Sequence, residues 1–120
     1  MWLMTKFGFY SIVKKDSDVY QVRSREKKDV ENLVQNVPIL NANIIETSNS
    51  DYAVRILVGQ DDLHKILSFL GETLDYSNFK NEIGMTTDQA HKPYHEVWQV
   101  MADALGSYGR AGTATGKDSD

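Results

Sequence analysis

The sequence predicts an α+β fold: two ββα units forming a four-stranded antiparallel sheet with helices on one face, followed by C-terminal helices. Three observations predict it. Aromatic and β-branched residues alternate with polar ones over four short runs, apolar residues recur at helical spacing after the second and fourth runs, and polar turn clusters separate the elements. Laying two amphipathic helices on one face of such a sheet is the two-layer way of burying both. With loop-joined strands paired, the order is that of a circularly permuted ferredoxin-like topology, the last strand moved to the front. Such an analogy carries no function.

The first run, residues 2–14, alternates Phe7 and Phe9 with Lys6, Gly8 and Tyr10 and reads as one strand. Trp2 and Met4 fall on the opposite parity from Leu3, Phe7 and Phe9, and Gly8 offers a bulge where that parity is adjusted. The polar residues 14–18 make a hairpin turn into a second strand, residues 19–25, with Tyr20 and Val22 on one face and Gln21, Arg23 and Arg25 on the other. Val30, Leu33, Val34 and Val37 then trace one helical stripe, which Pro38 ends. A third strand over residues 42–47 turns through residues 48–51 into a fourth over 52–58. There Tyr52, Val54, Ile56 and Val58 share one face, and Ala53, Arg55 and Leu57 the other.

Gly59 breaks that strand, and Asp61 and Asp62 put negative charge where a helix starts. Leu63, Ile66, Leu67, Leu70 and Leu74 form its stripe. A short helix over residues 77–82 turns Tyr76, Phe79 and Ile83 inward and is closed by Gly84. Thr87 and Asp88 are placed to cap a last helix with His91, Tyr94, Trp98, Met101 and Leu105 on its stripe, provided the regular helix begins near Pro93. Residues 106–120 hold four of the eight glycines and no periodicity, which reads as a flexible tail after a single domain over residues 1–105.

Composition narrows the function classes. Charged residues are 25% of the chain and hydrophobic ones 41%, so there is a core to bury. Cysteine is absent, which removes thiol nucleophiles, thiolate metal sites and disulfides, and permits a reducing compartment. Lys6 interrupts the N-terminal apolar run and no small-residue cleavage site follows it, so that run reads as a strand of a cytoplasmic protein without a membrane segment. The net charge of -4 divides unevenly. Residues 1–28 carry seven Lys or Arg against three acids, and residues 29–120 carry six against fourteen. A strongly basic domain, the usual footprint of bulk nucleic-acid binding, is not what this chain offers. A local basic face and an acidic docking face both stay open.

Three constellations are candidates for chemistry. Arg23 and Arg25 sit two apart on one predicted strand and Arg55 on the non-core parity of another. If those strands are neighbours, three guanidinium forks converge on phosphate or carboxylate. The alternative is an ordinary exposed sheet face on which they pair with Glu46 or Asp51. His91 and His95 are an i, i+4 pair, but the order KPYHEVW lacks the Glu that follows the first His of the zinc motif, and Pro93 distorts the intervening turn. Tyr94, His95 and Trp98, with Tyr76, either stack a base and move a proton or close a small core, and helical spacing favours the core. His95 lies off the stripe and faces outward on this reading. No glycine-rich phosphate loop or nucleophile motif occurs.

The segments FGFYSIV at 7–13, VRSR at 22–25, DYAVRI at 51–56, DYSNFKN at 75–81 and YHEVW at 94–98 resemble those of a family of small bacterial and phage proteins of unassigned activity. The resemblance spans most of the chain before Gly106 and implies no reaction, cofactor or ligand. Phage occurrence implies that interference with a host nucleic-acid-handling or defence complex is conceivable for its members. Two functions therefore stand. The first is a non-catalytic regulator or inhibitor that docks its acidic surface on a basic protein partner; the second is nucleotide or single-stranded RNA binding through Arg23, Arg25 and Arg55 with Tyr94, His95 and Trp98. Self-association is compatible with either.

Overall fold

The computed structural model describes residues 1–84 and 92–106, the side chain of Lys92 aside. The chain divides into two compact units, Met1–Asp75 and Tyr76–Asp120. The first is α+β and the described part of the second is helical. The caps expected at Thr87 and Asp88, His91, and the tail expected after Gly106 lie outside the described residues.

The first unit is an open antiparallel sheet of five strands, β1 (Trp2–Thr5), β2 (Gly8–Asp16), β3 (Val19–Ser24), β4 (Ile45–Glu46) and β5 (Val54–Val58), in the order β1-β2-β3-β5-β4. The single first strand expected over residues 2–14 is in fact a hairpin. Thr5 makes the turn: its Oγ1 accepts the N–H groups of Phe7 and Gly8 at 3.1 and 3.2 Å and donates to the Gly8 carbonyl at 2.8 Å. The chain reverses there, so Met4 stands opposite Phe9 and Leu3 opposite Tyr10, and the parity conflict between Trp2 and Phe9 disappears. Asp18 and Asn49 take left-handed backbone in the β2–β3 and β4–β5 turns, a conformation their short polar side chains tolerate.

Two helices cover one face of this sheet. α1 (Lys27–Asn36) buries Val30 and Leu33, and α2 (Gln60–Glu72) buries Leu63 and Ile66, both against Tyr10, Ile12, Val22, Val54, Ile56 and Val58. Leu74, expected on the α2 stripe, lies past the end of the helix and is exposed. α1 also clamps the first hairpin. Asp29, buried in its first turn, accepts the Phe9 N–H at 3.2 Å through Oδ2, its carbonyl accepts the Tyr10 hydroxyl at 2.6 Å, and Asn32 Nδ2 donates to the Phe7 carbonyl at 2.7 Å. Gly8 makes this approach possible: its φ is 153°, and a Cβ there would overlap the Asp29 carboxylate carbon.

The third and fourth expected strands are shorter than their sequence runs, with pairing confined to Ile45–Glu46 and Val54–Val58. β4 is an edge of two residues, and Tyr52 falls outside β5. In the second unit, α3 (Phe79–Gly84) starts two residues later than expected, and α4 (Lys92–Leu105) holds Pro93 in its first turn, where a missing N–H costs no helical bond. The expected apolar stripe on α4 is only half buried. Tyr94 is enclosed and Trp98 partly so, whereas Met101 and Leu105 are 52% and 63% exposed. No helix among the described residues is long and apolar enough to cross a membrane.

Candidate functional site

Arg23, Arg25 and Arg55 come together on the face of the sheet that no helix of the first unit covers. β3 and β5 pair so that Arg23 stands directly opposite Arg55, and β2 pairs with β3 so that Ser11 stands directly opposite Arg23. The parity that sends Val22 and Ile56 to the helices sends these residues the other way. Arg25 follows β3 by one residue on the same parity and is exposed. Like charges placed directly across two strands repel, so this register costs the fold free energy unless something else answers the charge.

Neutral groups hold the three side chains. Arg23 Nη2 donates to Ser11 Oγ at 2.7 Å, and Arg25 Nη1 to the Asp51 carbonyl at 3.1 Å. Arg55 donates through Nη1 to Gln21 Oε1 at 3.2 Å, and through Nη2 to the Tyr52 carbonyl at 3.2 Å and Ser50 Oγ at 3.4 Å. Among the described residues no carboxylate pairs with any of them: Glu46, one expected partner, holds Lys27 at 3.2 Å, and Asp51, the other, offers its backbone carbonyl. The Nε atoms of Arg23 and Arg55 are enclosed and find no acceptor among the described residues. A buried donor left so costs about 1–3 kcal/mol.

Tyr52 is the aromatic member of the cluster, and its place corrects the sequence reading. Alternation counted back from Val54 puts it on the helix-covered face. Because β5 begins only at Val54, Tyr52 is free to turn over, and the guanidinium carbons of Arg23 and Arg25 lie 4.6 and 4.8 Å from its ring centroid. Cation–π contact of this kind contributes about 0.5–1 kcal/mol at exposed positions. Ser11 is likewise not singled out by the sequence. A serine within a β-branched run gives no signal until its partner strand is known, yet it is 1% exposed and fixes one guanidinium.

The other candidates sit in the second unit, on α4. Tyr94 is 7% exposed and stacks on Phe79, ring centroids 6.0 Å apart and planes 18° off parallel. Tyr76 meets the other side of this group through Phe79 at 6.0 Å. That is a small aromatic core. His95 is exposed, and Trp98 is half-buried with the Lys80 ammonium 3.8 Å from its ring centroid. Among the described residues no group of three or more His, Asp or Glu is arranged to hold a metal ion.

The first unit also holds an ion pair. Lys6 Nζ donates to Asp75 Oδ1 at 3.0 Å, and this hydrogen bond, helped by the ammonium charge, lowers the Asp75 carboxyl below its ordinary value.

Fold and site together define a class: a small α+β domain with an arginine–tyrosine cluster, unneutralised by carboxylates among the described residues, on the face of an antiparallel sheet opposite its two packed helices. No protein-family model matches the chain, and neither a curated protein nor a solved structure matches it.

Proposed function

We propose that this protein binds a phosphate-bearing ligand, a nucleotide or single-stranded RNA, on the open face of its sheet, with Arg23, Arg55 and Arg25 as the clamp. One observation carries the reading: two guanidinium groups directly opposite each other on paired strands, a third beside them, and no carboxylate answering any of the three among the described residues. An arginine cluster built for stability places acids within reach, whereas one built for an anion leaves its forks to the ligand. Tyr52 adds a π-face at the same place, a role the sequence assigned to Tyr94 and Trp98. The ligand contacts run through the Nη ends, since the Nε atoms are enclosed. The cytoplasm is where such ligands are met, and a chain without cysteine suits it.

Titrating a 5′-labelled RNA hexanucleotide and adenosine monophosphate against the wild type and an Arg23→Gln, Arg55→Gln double variant tests this. The expected result is measurable wild-type binding that weakens at least tenfold in the double variant. A log-affinity versus log-salt slope of about -1.4 for the hexanucleotide corresponds to two phosphates neutralised. No wild-type binding, or binding indifferent to both substitutions, removes the reading.

A second reading is favoured by a different observation. Val97, Val100, Met101 and Leu105 are all more than 40% exposed on α4, and residues 29–120 carry fourteen acids against six bases. An apolar strip on an acidic chain suits a regulator or inhibitor docking on a basic protein, and the likeness to bacterial and phage proteins would make the target a host nucleic-acid-handling or defence complex. Capture of a partner from the host that a Val97→Ser, Met101→Ser variant fails to reproduce supports it, and capture unaffected by that variant rejects it. The permuted ferredoxin-like description of the sheet belongs to neither reading's support, because topology alone carries no function.

A further inference from the structure

The open face holds a second feature on the same line as the arginines. Trp2 stands directly opposite Ser11 across β1 and β2, Ser11 opposite Arg23, and Arg23 opposite Arg55, so the four form one row crossing the strands. Trp2 is 73% exposed, the largest exposed ring among the described residues. It is nonetheless braced, since the Phe9 ring meets it edge-on with centroids 6.2 Å apart and planes at 68°. The Ile12 N–H donates to the Met1 carbonyl at 2.8 Å and keeps the strand paired to its first residue. Ser11, which stands between Trp2 and Arg23 in this row, is buried and its hydroxyl accepts from Arg23 Nη2 at 2.7 Å.

An exposed, braced indole has little reason to be there for the core, which lies on the other face. What it offers is a flat apolar surface, the kind on which nucleobases stack whatever their sequence. Adjacent strands are about 4.8 Å apart, so Trp2 lies about 10 Å from Arg23 and about 14 Å from Arg55 along the row. A nucleotide whose phosphate sits on Arg55 cannot lay its own base on Trp2, but a linked neighbour can.

We infer that Trp2, braced by Phe9, is a base-stacking subsite, and that the sheet face takes single-stranded nucleic acid of at least two nucleotides laid across β1, β2, β3 and β5, with phosphates on Arg23 and Arg55 and a base on Trp2. This rests on the phosphate-binding reading and goes beyond it by naming the ligand class: an oligonucleotide rather than a free nucleotide.

The experiment compares adenosine monophosphate with labelled hexanucleotides of adenosine and uridine, using the wild type, Trp2→Ala, Trp2→Phe and the Arg23→Gln, Arg55→Gln variant, each first verified as folded by its thermal melt. The wild type should bind the hexanucleotides more tightly than the monophosphate. Trp2→Ala should weaken hexanucleotide binding about tenfold and leave the monophosphate within twofold, and Trp2→Phe should restore most of the loss. In a Trp98→Phe background Trp2 is the sole tryptophan, so its emission should be quenched as the hexanucleotide binds. Hexanucleotide binding that depends on the arginines but not on Trp2, or that leaves Trp2 emission unchanged, overturns the stacking subsite while the phosphate clamp stands. Equal affinity for monophosphate and hexanucleotide overturns the oligonucleotide assignment in the same way. No binding of either probe brings down both.

Discussion

The two faces of one sheet are built from alternate residues of the same strands and do opposite things. Ile12, Val22 and Ile56 form a register row across β2, β3 and β5 and are at most 5% exposed beneath the helices. Ser11, Arg23 and Arg55, one residue away on each strand, form the neighbouring row on the face away from the two helices, and two of its guanidinium nitrogens have no acceptor among the described residues. The first row supplies apolar burial, and the second carries a cost in repulsion and desolvation that the first offsets. A sheet covered on one side can thus carry charged groups on the other, because pleating keeps the two sets of side chains apart.

Substitutions at adjacent residues break the comparison most directly. Ile56→Ala removes a fully buried side chain from the covered row and should lower unfolding free energy by about 2–5 kcal/mol in chemical denaturation. Leu57→Ala, next in the chain but 46% exposed on the other face, should cost less than about 1 kcal/mol. Equal effects would mean that the faces are not energetically distinct.

The hairpin that carries Trp2 and Ser11 joins the two faces through Gly8. Gly8→Ala should destabilise by about 2 kcal/mol, because the new Cβ meets the Asp29 side chain and the backbone is held at a φ of 153°. A melting temperature unchanged from wild type would show that Asp29 yields freely. The smallest effect is expected at Asp75, which belongs to neither face. Its carboxyl is lowered by Lys6, so the pair stabilises the folded state above the unfolded Asp value of about 3.9 and the contribution is lost as pH falls through the lower folded value. Asp75→Asn should therefore match wild type in strong acid and fall slightly short of it near neutrality, with the gap shrinking in salt, since the carboxylate is 71% exposed. Urea midpoints across pH at low and high salt check this.

Much of this arrangement was legible in the residues. The alternation over β3 and β5 places Val22, Val54, Ile56 and Val58 inside and Arg23 and Arg55 outside, and the stripes of α1 and α2 announce themselves by spacing. The features that local sequence does not announce have specific causes. Tyr52 departs from its expected face because a period-two pattern runs on past the point where pairing stops. The Thr5 turn was hidden because Lys6 and Phe7 lack the usual turn signals, and the work is done by a threonine hydroxyl. Met101 and Leu105 continue the helical period of Tyr94 and Trp98, but periodicity describes a helix's own geometry and not whether anything covers it.

By itself, then, the sequence determined which residues share a face, since a side chain's direction along an extended strand or a helix depends only on its neighbours in the chain. Only the tertiary structure decided that Trp2, Ser11, Arg23 and Arg55 form one row, and that no carboxylate among the described residues meets the arginines. Strand register is a long-range property, set by where turns close and which strands pair, and nothing local to Arg23 specifies that Arg55, thirty-two positions on, will stand opposite it.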